Sequence, residues 1–149
     1  MRVKRDIFEE IYQEFDQNEI CILMGPRQVG KSTLMIQIQE KIKTKSVFFD
    51  LEDPLTLAEF NLDTAGLIQK LKNTNAKVIF IDEFHYLENA SKIFKSIFDN
   101  GARNPKEKIK IYASGSSSIE MHKHLKESLA GRKNTYQIFP LAFLEIKRA

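Results

Sequence analysis

Short apolar runs alternate with helical patterns along this chain. Five runs predict strands, and they span residues 20–24, 47–50, 78–81, 109–113 and 136–139. A chain in which strands alternate with helices forms a parallel sheet that helices cover on both faces. The pattern therefore predicts the α/β class with a five-stranded parallel sheet.

Helices are predicted before the first strand and between the strands. Their apolar residues recur at three- and four-residue spacing, which is typical of amphipathic helices. The predicted helices contain residues 6–15, 34–42, 67–71, 93–98 and 118–129. Repeats and obvious linkers are absent from the sequence, so the pattern indicates a single domain.

A glycine-rich loop joins the first strand to the helix that follows it. The loop satisfies the pattern G-x-x-x-x-G-K-[ST] with Gly25, Pro26, Arg27, Gln28, Val29, Gly30, Lys31, Ser32 and Thr33. Glycines let the backbone curl so that successive N–H groups point at an anion. In such a loop Lys31 reaches the β- and γ-phosphates, and Ser32 places its hydroxyl on Mg²⁺. We expect Arg27 to point to solvent or to a partner. Because the next helix directs its positive dipole end at the loop, the sequence predicts a nucleoside triphosphate site.

The third strand ends in two carboxylates. Residues 79–83 read Ile-Phe-Ile-Asp-Glu, the pattern of a Walker B strand. Such a strand delivers its acids at the carboxyl edge of a parallel sheet, where ligands bind. We expect Asp82 to hold Mg²⁺ beside Ser32, and Glu83 to be the general base or to orient the attacking water. Any strand can end in acidic residues, but the strand–helix–strand setting favours the functional interpretation.

Several polar residues farther along the chain have two interpretations each. Ser114 and Ser116 follow the fourth predicted strand; they could bond the attacking water or the γ-phosphate, or be ordinary turn residues. Arg132 could neutralise charge in the transition state, in its own chain or across a subunit interface, or be a surface residue. His85 could sense the γ-phosphate or position Glu83, although we favour a loop histidine without such a role.

Composition adds limits to this picture. With 149 residues, of which 42% are hydrophobic, the chain is long enough for one core. Apolar runs stay well short of the roughly 20 residues that a membrane-spanning helix needs. The N-terminus is charged rather than signal-like, and the single cysteine, Cys21, forms no internal disulfide. We therefore expect a cytoplasmic protein with no membrane partner.

Positive charge is concentrated in the second half of the chain. Residues 1–75 carry 10 Lys/Arg and 12 Asp/Glu, a balance of −2, whereas residues 76–149 carry 13 and 8, a balance of +5. A basic cluster is formed by Arg103, Lys106, Lys108 and Lys110. A nucleic-acid patch is one interpretation, but no set of stacking aromatic residues accompanies it. We favour a solvated loop and strand edge protected by lysines, which leaves DNA as a weakly supported partner.

With these motifs assembled, the chain resembles bacterial and archaeal P-loop ATPases of the AAA+/STAND neighbourhood. The resemblance covers nearly the whole chain and rests on five ordered segments, residues 25–32, 80–83, 114–117, 129–132 and 140–145. It implies a three-layer α/β/α sandwich of the additional-strand type, in which the fourth strand lies between the phosphate-loop strand and the Walker B strand. It also implies ATP rather than GTP, and no guanine-reading N/T-K-x-D motif is present. Ser114 stands where threonine is expected, a change that keeps the hydroxyl.

The same family often joins its ATPase domain to a C-terminal domain of unknown function. Residues 140–146 predict the start of a further apolar helix, and the sequence ends three residues later. A helix this short is not expected to stand alone. We therefore expect residues 1–149 to be one P-loop domain truncated before a second domain.

Two functions fit these residues. The first is a Mg²⁺-dependent ATPase whose hydrolysis drives a conformational change passed to a partner protein or to the following domain. The second is a nucleotide-dependent switch or scaffold that binds protein or DNA with little turnover. A small-molecule kinase ranks third, because neither an arginine-rich lid nor an acceptor pocket is visible. A homo-oligomer stays open, since an arginine from a neighbouring copy could complete the site.

Overall fold

The computed structural model describes residues 5–61, 63–116 and 119–140. The strands are β1 (Ile20–Gly25), β2 (Ser46–Asp50), β3 (Val78–Asp82), β4 (Lys110–Ser116) and β5 (Lys133–Gln137). The α-helices are α1 (Phe8–Gln13), α2 (Lys31–Lys41), α3 (Pro54–Phe60), α4 (Thr64–Asn73), α5 (Ala90–Arg103) and α6 (Ile119–Ser128). Short 3₁₀ helices lie at Glu14–Asp16, Phe84–Tyr86 and Pro105–Glu107.

The strands form a single parallel sheet in the order β2-β3-β4-β1-β5. β4 is inserted between β1, which precedes the glycine-rich loop, and β3, which carries the acid pair. The predicted α/β fold with a parallel sheet of the additional-strand type is thereby confirmed. Because all strands run in one direction, the ends of β1, β4 and β3 lie side by side at one edge of the sheet.

Helices cover both faces of the sheet. Strand residues with side chains on one face pack with α3, α4, α5 and α6, and strand residues on the other face pack with α1 and α2. All described residues of β1 and β3 are buried, as central parallel strands require. On the α2 face, three aromatic rings stack across neighbouring strands at centroid separations of 6.0 and 5.2 Å, and they belong to Phe48, Phe80 and Tyr112. The chain is therefore a three-layer α/β/α sandwich.

Two strands differ in extent from the apolar runs that predict them. β4 continues through Gly115 and Ser116, which pair with Met24 and Gly25 of β1. β5 begins at Lys133, opposite Ile20, and ends at Gln137, before Ile138 and Phe139 of the predicted run. Pairing with β1 extends both strands, because backbone hydrogen bonds do not require apolar side chains. Ser114 and Ser116 therefore lie within a strand rather than in a turn after it.

The basic cluster is not the edge of the sheet. β4 is a central strand, so the expectation of a lysine-protected strand edge is wrong. Lys110 is 6% exposed, and its ammonium group donates to the carbonyls of Gln17 and Glu19. Lys108 donates to the side chain of Asn18. Two of the four basic residues thus tie the start of β4 to the turn before β1.

The helices of the described residues are all too short or too polar to cross a membrane.

Candidate nucleotide site

The glycine-rich loop lies between the carboxyl end of β1 and the amino end of α2. Gly30 precedes α2 with φ +93°, a left-handed conformation that glycine adopts without steric cost. Gly25 faces the backbone of Ile138, whose carbonyl oxygen would lie 2.5 Å from a Cβ added at Gly25. A side chain at either position would disturb the loop. Both glycines of the motif are therefore required by the backbone itself.

Lys31 is folded back over this loop. It is 4% exposed, and its Nζ donates to the carbonyl oxygens of Gly25 at 2.8 Å and Pro26 at 2.6 Å. Burial lowers the pKa of Lys31, while the nearby carboxylates of Glu83 and Asp82 act in the opposite direction. Neutral acceptors thus hold the ammonium group at the loop, and the carboxylates of Asp82 and Glu83 attract it electrostatically.

An open cavity of about 250 Å³ lies against the loop and the end of β3. It is lined by Gln28, Gly30, Lys31, Ser32, Thr33 and Glu83. The amino end of α2 opens into this space, which is the arrangement that favours anions. The cavity therefore brings five of the nine predicted loop residues, together with Glu83, to within reach of one ligand.

Three predicted loop residues have side chains outside the cavity lining. Pro26 and Arg27 are exposed, whereas Val29 is 8% exposed and packs in the core on the α2 face. The guanidinium group of Arg27 donates to the hydroxyl of Tyr86 at 2.8 Å and lies 3.8 Å from the Glu52 carboxylate. Arg27 thus contacts Tyr86 and Glu52 and does not line the cavity.

Asp82 links the end of β3 to α2 and to β4 through hydrogen bonds. It is the last residue of β3 and is 7% exposed. Its Oδ2 accepts from Ser32 Oγ at 2.7 Å, and its Oδ1 accepts from Ser114 Oγ. A carboxylate and a hydroxyl are oxygen donors of the kind that Mg²⁺ prefers. The described residues contain no group of three or more His, Cys, Asp or Glu side chains that could hold a metal; the donor set fits a cation that takes its other ligands from water and phosphate.

Glu83 adopts an uncommon backbone conformation directly after β3. Its φ of +61° and ψ of +46° are left-handed, which costs a residue with a Cβ about 1–2 kcal/mol. Its N–H donates to Ser114 Oγ at 3.2 Å. The side chain is 15% exposed; burial, followed by the charge of Asp82, raises the pKa of Glu83. This turn aims the carboxylate at the cavity, and such local strain is found at functional sites.

His85 lies between Glu83 and the end of β4. Its Nδ1 accepts from the Ser116 N–H at 3.2 Å, and its Nε2 lies 3.3 Å from Glu83 Oε2. Burial, together with the positive charges of Arg27 and Lys31, lowers the pKa of His85. The sequence alone favours a loop histidine that neither senses the γ-phosphate nor positions Glu83. The only sequence signal was its position two residues after Glu83, and the contact with Ser116 could not be read from the chain.

Arg132 lies at the amino end of the strands, whereas the candidate site lies at their carboxyl end. It precedes β5, and its carbonyl accepts from the N–H of Ile20 at the start of β1. Its guanidinium group forms an ion pair with Asp99 of α5 at 2.9 Å. The six residues of β1, at about 3.3 Å each, separate this end from the loop by about 20 Å. This placement contradicts a role for Arg132 in the site of its own chain.

Comparison with known proteins assigns the family. A model described as an AAA domain matches residues 17–147. The chain belongs to the AAA domain family. As an AAA domain of the P-loop type, it belongs to a nucleotide-binding class, and the predicted family resemblance is confirmed.

The AAA domain is similar to parts of longer uncharacterized proteins. Two are from Methanocaldococcus jannaschii: MJ1544 is 31% identical over 131 residues, and MJ1637 is 28% identical over 143 residues. These matches cover 86% and 90% of this chain but 28% of each relative. A protein of Haemophilus influenzae is 24% identical over 155 residues, covering 98% of this chain and 37% of that protein. The AAA domain therefore spans between 28% and 37% of the length of these relatives.

Solved structures share the fold at low sequence identity. The Orc1 protein of Aeropyrum pernix, solved in complex with DNA, superimposes with a TM-score of 0.68 at 10% identity. That match covers 99% of this chain and 48% of the other. Pif1 helicase from Candida albicans gives a TM-score of 0.61 at 16% identity, covering 93% of this chain and 40% of the helicase. At these identities the likeness establishes the fold.

Proposed function

We propose that this AAA domain binds ATP with Mg²⁺ in the cavity beside the glycine-rich loop and hydrolyses it with Glu83 as general base. The observation that carries the proposal is the junction at the carboxyl edge of the sheet. There the Ser32 hydroxyl, the Asp82 carboxylate and the Ser114 hydroxyl are hydrogen-bonded, with Lys31 and Glu83 beside them. Apart from the Ser114 hydroxyl, each of these groups has a matching task in phosphoryl transfer.

Phosphate binding is assigned to the loop and to Lys31. The carbonyl oxygens that now accept from Lys31 Nζ are neutral, so phosphate oxygens would be stronger partners for its charge. The N–H groups at the amino end of α2 supply further donors. Ser32 and Asp82 would hold Mg²⁺, which when bound neutralises charge on the phosphate oxygens.

We assign to Glu83 the role of accepting the proton of the attacking water. Its carboxylate lines the cavity, and its Oε2 is buried without a hydrogen bond of good geometry to any described residue. The burial that raises its pKa also strengthens it as a proton acceptor when ionised. Hydrolysis would change the contacts of the loop and of the β3 end. We propose that this change passes to a partner or to further parts of a longer chain.

The test is single-turnover ATP hydrolysis with Mg²⁺, comparing wild type, Glu83→Gln and the control Glu88→Gln, which alters an exposed carboxylate five residues away. We expect Glu83→Gln to keep ATP affinity and to lose about 100-fold or more in rate, and Glu88→Gln to match wild type. Normal hydrolysis by Glu83→Gln would exclude Glu83 as the base. If the protein binds ATP but shows no hydrolysis that depends on Glu83, the nucleotide-dependent switch is supported instead.

Calorimetry tests the phosphate site separately. Lys31→Ala should weaken ATP binding at least about tenfold, equal to about 1.4 kcal/mol. Lys43→Ala, which alters an exposed lysine just beyond α2, is the control and should bind like wild type. Unchanged affinity in Lys31→Ala would contradict the assignment of the loop. Repeating hydrolysis across protein concentrations tests whether a second copy completes the site, since the rate then rises with concentration.

A further inference from the structure

We propose that His85 is a positioning residue for Glu83 and that the backbone of β4 sets its tautomer. The inference rests on the proposed function, because it names the group that holds the general base. His85 does not itself line the cavity, but it lies beside Glu83, which does. It acts on the reaction only through the Glu83 carboxylate, and Ser116 at the end of β4 acts through His85.

The hydrogen bond from Ser116 decides which ring nitrogen carries the proton. The Ser116 N–H donates to Nδ1 at 3.2 Å, so Nδ1 must present its lone pair. In the neutral imidazole the proton then lies on Nε2. Burial and the positive charges of Arg27 and Lys31 lower the pKa of His85 and favour that neutral form, against smaller opposing effects of Glu52 and Asp82. The nitrogen that faces Glu83 is therefore an N–H donor.

The Glu83 carboxylate has an oxygen that lacks a hydrogen-bond donor within the described part of the chain. Its Oε2 is buried and lacks a well-aligned hydrogen bond among the described residues, and His85 Nε2 stands 3.3 Å away. The two side chains are 18% and 15% exposed, so water screens the contact little. We assign the Nε2–H of His85 to Glu83 Oε2 as its donor. The contact holds one carboxylate oxygen and leaves the other for the attacking water.

Tyr86 packs against another side of the His85 ring. The two ring centroids lie 4.5 Å apart, and the hydroxyl of Tyr86 is bonded to Arg27 of the phosphate loop. The N–H of Glu83 is bonded to Ser114, two residues before Ser116 on the same strand. β4 thus controls both the backbone of Glu83, through Ser114, and its side chain, through His85. A shift of the end of β4 would therefore change the orientation of the Glu83 carboxylate.

Two variants separate the two contacts of His85. Asn offers an oxygen near the place of Nδ1 and can keep the bond from Ser116, but it is too short to reach Glu83. Gln places an amide N–H near the place of Nε2 and can donate to Glu83. We expect His85→Asn to lower the single-turnover rate about tenfold or more with ATP affinity unchanged within about twofold. His85→Gln should recover most of that loss.

Two further measurements distinguish positioning from general damage. In the Glu83→Gln background, His85→Asn should cause no further loss, because the group it positions is gone. Long-range ¹⁵N–¹H spectra of the wild-type protein should show the Nε2–H tautomer for His85, assigned by the signal that His85→Asn removes. This readout requires no hydrolysis.

Each outcome decides the inference. An Nδ1–H tautomer overturns it, as does a His85→Asn rate equal to wild type while Glu83→Gln is inactive; in that second case the proposed ATPase function stands. A His85→Asn effect that persists undiminished in the Glu83→Gln background also overturns it. Normal hydrolysis by Glu83→Gln overturns the proposed function and this inference together. A loss in His85→Asn, recovery in His85→Gln and the Nε2–H tautomer support it.

Discussion

Ser114→Ala removes a hydroxyl with two partners at the centre of the site. Ser114 is fully buried, its Oγ donates to Asp82, and it accepts from the N–H of Glu83 at 3.2 Å. A hydrogen bond to a charged group contributes about 1.5–3 kcal/mol, and a buried donor left unsatisfied costs about 1–3 kcal/mol. Since Asp82 keeps its bond from Ser32, we expect a net loss of about 3 kcal/mol in the free energy of unfolding.

Equilibrium unfolding in urea, followed by far-ultraviolet circular dichroism, measures this loss. With a slope of about 2 kcal/mol/M, the midpoint should fall by about 1.5 M. The chain contains a matched control in Ser91, which is 4% exposed and whose Oγ has no hydrogen-bond partner among the described residues. Ser91→Ala should therefore change stability by no more than about 0.5 kcal/mol, or increase it.

Comparison of the two variants gives the decisive result. If Ser114→Ala and Ser91→Ala shift the midpoint equally, the Ser114 hydroxyl does not join Asp82 to Glu83, and the reasoning is refuted. A large loss of stability in Ser114→Ala together with slower single-turnover hydrolysis supports the role of the Ser114 hydroxyl in linking Asp82 to Glu83. The second readout follows because the backbone of Glu83 loses the bond that holds its left-handed turn.

Two further predictions concern packing. A Cβ at Gly115 would lie 2.6 Å from the ring of Phe84. Gly115→Ala should therefore destabilise the protein by about 1–3 kcal/mol through overpacking and slow hydrolysis. Gly66→Ala in α4 is its control: a Cβ there meets nothing closer than 3.5 Å, so the variant should gain up to about 1 kcal/mol in free energy of unfolding, measured in urea. Wild-type behaviour in Gly115→Ala would contradict the close approach of β4 to the Phe84 turn. Burial raises the pKa of Cys21, so a thiol reagent at pH 8 should label the native protein far more slowly than the unfolded protein. Equal labelling rates would show that β1 is not buried.

Much of the fold could be predicted because its signals are local. Residues 78–81 are apolar without alternation, which is typical of a strand buried on both faces, and β3 lies there. The glycine-rich loop could be placed because its conformation depends on its own glycines. The extents of β4 and β5 were predicted less well. Polar segments become strands there because β1 supplies hydrogen-bond partners, and the sequence of a segment does not record its neighbours.

The candidate site divides in the same way. The sequence by itself determined the residue types that can bind phosphate and magnesium, because the motif places Lys31 and Ser32 at a helix start and Asp82 at a strand end. Only the tertiary structure decided that Ser114 bonds Asp82, that His85 faces Glu83, and that Arg132 lies at the far edge of the sheet. These contacts depend on strand order and register, since a one-residue slip along a strand turns a side chain to the other face.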